Sequence, residues 1–141
     1  MYPIFMILLA LPAHGGLKEE RASIVSYCNE LKPDQVDSKA MRPSASYIPV
    51  LRQNKTLVRY FFFCRLWGQT SRLWHARHYH AKGLVAKREV MRQIEQARDA
   101  TWEHFYHLGQ AQVENIVFNH GALPPLPEEL RKKVFPQKET P

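Results

Sequence analysis

The chain has 141 residues, room for at most one ordinary domain, and an apolar share of 45% that is near the usual globular value. Its formal charge is +7, and the whole excess lies between residues 38 and 88, a block of eleven bases and no acid. Such a block repels itself and seeks phosphate, anionic lipid or an acidic protein face.

Residues 1–16 begin MYPIFMILLALPA, apolar over about a dozen residues. A bilayer span needs about 20, so this stretch is too short to be one. It has the length of a signal-peptide core, and Ala13-His14-Gly15 fits a cleavage site, but no Lys or Arg precedes it. A buried or frayed terminus is the preferred reading, with signal peptide as the alternative.

Residues 17–56 read as a short helix and a linker. Leu17, Ile24, Cys28 and Leu31 fall near one helical face, and Lys32-Pro33-Asp34 stops the run. Pro33, Pro43 and Pro49 then lie among Ser, Asn and Gln, which reads as linker.

Residues 57–121 read as a basic aromatic arm followed by the main helix. Within LVRYFFFCRLW (57–67), periodicity does not separate helix from strand. Helix is preferred, because the basic stretch runs on through Arg72 and Arg77 with Gly68 as its one turn signal. From about Leu84 to Asn119 the pattern predicts one long amphipathic helix. Val90, Ile94, Ala97, Thr101, Phe105 and Leu108 step by three and four, and Trp102 widens the stripe. Glu89 with Arg92, and Glu95 with Arg98, are spaced to pair on the outer face. Gly109 is placed to bend or divide the helix, and Asn119-His120-Gly121 to stop it. A rod on the order of 50 Å cannot cover its own stripe. Val90, Ile94, Trp102, Phe105 and Leu108 are therefore expected at an interface with partner helices or a second copy.

Residues 122–141 are a proline-rich tail. LPPLP (123–127) suits a polyproline spacer or a WW-type ligand, and Glu128-Glu129 with Arg131-Lys132-Lys133 marks a short helix that Pro136 ends. The expected fold is mainly α: the long helix, short helices packed on it, and flexible or irregular ends.

No motif in the chain carries catalysis. There is no GxSxG, no Gly-rich phosphate loop and no paired carboxylate in an apolar setting, so no enzyme, cofactor or small-molecule substrate is expected. Cys64 lies near Arg59 and Arg65, yet a lone cysteine in an apolar run is usually packing. Cys28 and Cys64 are too few for a four-sulfur zinc site; they pair if the chain is secreted and stay free if it is intracellular. His75, His78 and His80, with His104 and His107, invite a metal reading, but HExxH spacing is absent and no metal is expected.

The stretch SRLWHARHYHAKG (71–83) is better read as anion-seeking. Arg59, Arg65, Arg72, Arg77 and Lys82 alternate with Trp67, Trp74 and Tyr79, a pattern that offers phosphate contacts beside stacking surfaces. RNA is preferred over DNA, an acidic protein surface is the other candidate, and a membrane is less favoured. A second reading starts from Met41. From there to Gly83 the chain has the composition of a mitochondrial presequence, and residues 1–40 would be an upstream extension. Asn54-Lys55-Thr56 is a glycosylation sequon, meaningful only on export. In style the chain is similar to small basic subunits of organellar ribosomes and respiratory assemblies, a likeness that rests on no shared motif. The expected function is a non-catalytic structural subunit, mitochondrial, that binds RNA or a larger assembly through the arm. A small secreted or membrane-associated protein comes second, and a histidine-based metal binder third.

Overall fold

The structure, a computed structural model, describes residues 16–37 and 41–134. The apolar N-terminal segment and the last seven residues, with Pro136, lie outside the described residues, as do the side chains of 69–73, 76 and 134. The described chain is mainly α. Its elements are α1 (Leu17–Glu30), a two-residue ladder of β1 (Val36–Asp37) with β2 (Arg42–Pro43), α2 (Ile48–Arg52), α3 (Lys55–His80), α4 (Leu84–Phe105), α5 (Gln110–Asn119) and α6 (Glu128–Val134).

The axis of the fold is α3, 26 residues or about 39 Å. The Asn54 side chain caps its start by accepting the Leu57 N–H at 3.2 Å. Arg77, His78 and His80 occupy its last turn, where positive charge suits the helix dipole. Helices α1, α2, α4 and α5 all pack against it. That explains why Phe61, Phe62 and Phe63, three successive positions pointing in different directions, are all at most 1% exposed.

Helices α3 and α4 form an antiparallel hairpin closed by Ala81, Lys82 and Gly83. Gly83 takes φ +87°, a conformation that a side chain would strain. Successive contacts fix the direction. Trp74 packs with Ile94 and Ala97, Phe63 meets Trp102 at a tilt with ring centroids 5.7 Å apart, and Arg59 reaches Tyr106. The main core lies at the end of the hairpin away from this turn, and the Trp74 cluster is a smaller, separate one.

The helix expected over 84–119 is divided at residues 106–109, with Gly109 at the start of the second half. The division lets α5 fold back onto α3. Its consequence is that the stripe is covered within the chain: Trp102 is 1% exposed and Phe105 3%, and Ile94 is buried, with Val90 and Leu108 half-buried. The outer-face pairs are half present. Glu89 binds Arg92, while Arg98 turns to Asp99 and over Trp67 and Trp102. Helix α5 stops with His120 in the left-handed region, and the Gly121 N–H bonds the Asn115 carbonyl at 3.1 Å.

The stretch read as linker holds more order than proline content suggested. Tyr47 and Leu51 are buried, the Ser44 hydroxyl donates to the Asp34 carbonyl at 2.6 Å, and Tyr27 and Tyr47 share a hydrogen bond of 2.6 Å between phenols. Cys28 on α1 is bridged to Cys64 on α3, with Cα atoms 5.5 Å apart.

Candidate functional site

The eight residues expected to face nucleic acid separate into two groups along α3. The first group is turned inward. The Arg59 guanidinium donates to the Leu108 and Tyr106 carbonyls, each at 3.0 Å. Arg65 donates to the Ile116 carbonyl at 2.9 Å. A helix leaves its last carbonyls without intrahelical partners. Arg65 satisfies such a carbonyl in the last turn of α5, and Arg59 satisfies two in the connection between α4 and α5, so both cations hold the fold together. Burial lowers the pKa of Arg65, nearby Arg42 adds to that, and its Nε is buried without a hydrogen-bond partner. Trp67 is half-buried with the Arg98 guanidinium 5.8 Å from its ring, and Trp74 is buried against Ile94 and Ala97.

The second group is turned outward and collects at the hairpin turn. Arg77, Tyr79 and Lys82 are exposed, Arg77 lying 5.4 Å over the Trp74 ring. The Arg72 side chain is outside the described residues. Three residues join the tip from the other strand of the hairpin: Leu84, Val85 and Arg88, all exposed. Tyr79, Leu84 and Val85 are 76%, 65% and 81% exposed, the three highest values among the large hydrophobic side chains described as exposed. Lys87 is half-buried, and its ammonium donates to the His78 carbonyl at 3.2 Å, tying the two helices together beside the turn. No acid falls between His75 and Arg88 in the sequence. The tip therefore combines exposed cations with an exposed apolar surface. Such a surface can meet an anionic partner and bury apolar area against it.

The sequence pattern singled out Arg77, Tyr79 and Lys82 and passed over Leu84, Val85 and Arg88. Their signal was position, since they follow the turn marked by Gly83. The interface residues Ile94, Trp102 and Phe105 face the chain's own core. The histidines do not converge: His104 stands edge-on to Phe105 and His107 to Tyr106. Among the described residues, no group of three or more His, Cys, Asp or Glu side chains is arranged to hold a metal ion. Nor is any described helix long and apolar enough to cross a membrane. A cleft beside the disulfide is lined by Leu31, Lys32, Pro33, Val36, Met41 and Trp67 among the described residues. Gly68 lies mid-helix there, and a Cβ at that position would come within 2.8 Å of the flexible end of the Met41 side chain. Comparison of the chain with protein-family models, with curated proteins and with solved structures finds no match.

Proposed function

We propose that this chain is a non-catalytic accessory module that holds an anionic partner through the tip of the α3–α4 hairpin. One observation carries the reading. Arg77, Lys82 and Arg88 are all exposed around a single turn, with no acid in the sequence between them, while Arg59 and Arg65 from the same basic block are turned onto carbonyls. Arg42, Arg52 and Lys55 of the block are also exposed, away from this turn; the turn is where three of its exposed cations are brought together beside exposed Tyr79, Leu84 and Val85. Long-range attraction to a phosphate- or sulfate-bearing surface follows from that concentration, and it weakens with salt. The test is retention on immobilised heparin. Arg77→Gln, Lys82→Gln and Arg88→Gln together are expected to release the protein at clearly lower salt; unchanged retention would refute the reading.

The disulfide favours a particular compartment. A Cys28–Cys64 bridge persists where thiols are oxidised, as in secreted proteins, and is rare where they are kept reduced. This supports export over the mitochondrial matrix. The fold supports it further. A presequence covering 41–83 would remove α3, the helix against which α1, α2, α4 and α5 pack. N-terminal sequencing of the mature protein separates the two. A start near Gly16 supports export; a start near residue 80 would point to the matrix.

A further inference from the structure

We infer that the anionic surface met by the hairpin tip is a lipid bilayer, with Tyr79, Leu84 and Val85 seated at the level of the headgroups and the first acyl carbons. The inference rests on the proposed role of the tip and adds the identity of its partner.

The apolar half of the tip decides between partners. Single-stranded nucleic acid is held by bases stacking on aromatic rings. The tip offers one exposed ring of the Phe/Tyr/Trp type, Tyr79, with the exposed imidazole of His80 edge-on to it and that of His75 nearby; Trp74, Phe61, Phe62 and Phe63 of the same helix are buried. Two of its three apolar side chains are aliphatic, and a nucleobase gains little from them. A bilayer uses all three. Leucine and valine partition into the acyl boundary, tyrosine favours the interface, and arginine and lysine meet anionic headgroups. The apolar surface also extends down one face of α4. Leu84 and Met91 are seven residues apart, two helical turns, and Met91 is 43% exposed. Arg88 lies between them on the same side, at the fourth position after Leu84. The first acid beyond the tip, Glu89, is bound to Arg92. Cations thus flank an apolar point, the charge pattern that an anionic interface complements. Three side chains make a small anchor, so binding is weak and reversible and is set by lipid charge.

The experiment is co-sedimentation of the full, oxidised chain with large vesicles, either of phosphatidylcholine alone or of phosphatidylcholine mixed with phosphatidylserine. Wild type is expected to bind the mixed vesicles and not the neutral ones. Arg77→Gln, Lys82→Gln and Arg88→Gln together should lower partitioning by well over tenfold, since each base near such a surface contributes roughly fivefold. Leu84→Ser with Val85→Ser leaves the charge intact and should also lower partitioning more than tenfold. Both residues are exposed, and an unchanged urea midpoint confirms that the fold survives. Full binding by the Leu84/Val85 variant would overturn the inference, because charge alone would then suffice. So would equal binding to neutral vesicles. If wild type ignores vesicles but binds a labelled single-stranded RNA through the same three bases, the tip still holds anions and the lipid assignment falls. If the bases matter for neither probe nor for heparin, both readings fall.

Discussion

Removing the Cys28–Cys64 bridge should cost more stability than any single exposed contact in the molecule. The bridge closes a segment with a sequence separation of 36. In the chain-entropy treatment a loop of that size lowers the entropy of the unfolded chain by roughly 13 cal/mol/K, which is about 4 kcal/mol at 25 °C. Domains of this size are stable by about 5 to 15 kcal/mol, so the loss is a large fraction of the whole. Other ties of α1 include its packing and the Tyr27–Tyr47 hydrogen bond. The Arg21–Asp99 ion pair is solvent-exposed and contributes little, and Leu17 and Ile24 supply the packing. The variant should be Cys28→Ser with Cys64→Ala, since Cys28 is half-buried whereas a serine hydroxyl at buried position 64 would add a cost of its own. With m of roughly 1 to 3 kcal/mol/M, the urea midpoint should fall by about 1 to 4 M, and reductant should do the same to the wild type. A shift under about 0.5 M in both would refute the reasoning. It would mean that the unfolded chain is already compact around α1, or that the two thiols are not joined.

Phe105→Ala should cost about 3 to 5 kcal/mol in the same urea experiment, because the ring is 3% exposed and meets Phe62 edge-on at 6.3 Å; Glu95→Gln, exposed on α4, should change the midpoint little. Arg59→Gln should destabilise by about 1 to 3 kcal/mol by leaving the Tyr106 and Leu108 carbonyls short of donors, yet leave heparin retention almost unchanged; lost retention in a folded variant would place Arg59 at the binding surface. Alkali should unfold the protein. Burial is the largest cause raising the pKa of Tyr27, Tyr60 and Tyr106, and in the case of Tyr27 the Tyr47 hydrogen bond adds to it. A raised folded-state pKa gives stability that is present below about 10 and is lost as pH climbs through that range. Phenolate absorbance and loss of helical circular dichroism should therefore rise together above pH 10; phenols titrating ahead of unfolding would contradict this.

How legible the fold was depends on how many sides of each helix are buried. Helix α4 buries one face, so Ile94, Ala97, Thr101 and Phe105 show a 3.6-residue period that can be read directly. Helix α3 is surrounded, so Phe61, Phe62 and Phe63 show no period, and the longest described helix looked like a short ambiguous run. Gly109 was readable as a weak point, but whether it bends or breaks a helix depends on what α5 can pack against. The charge block was plain in composition. Its division was not, because the carbonyls that Arg59 and Arg65 serve lie about 50 residues away. The same holds for the cysteines, whose spacing matches no framework and whose pairing needs α1 laid against α3. At the tip Arg77, Tyr79 and Lys82 were legible, and Leu84, Val85 and Arg88 were not. Leu84 and Val85 look like ordinary first-turn residues until the hairpin leaves them without cover.

On the proposed function, charge placed at the hairpin turn, and not the overall positive charge, holds the partner. A charge-matched pair of variants tests it. One carries Arg77→Gln, Lys82→Gln and Arg88→Gln. The other carries Lys18→Gln, Lys32→Gln and Lys55→Gln, exposed bases away from the turn, Lys55 at the opposite end of α3. Both lower the formal charge by the same three. Binding to a labelled heparin fragment is measured against salt concentration. The tip variant is expected to lose about two units of log–log slope, at roughly 0.7 to 0.9 per contact removed, while the control keeps the wild-type slope. Equal losses in the two variants would contradict the account and leave only a basic chain that adheres to polyanions through its net charge.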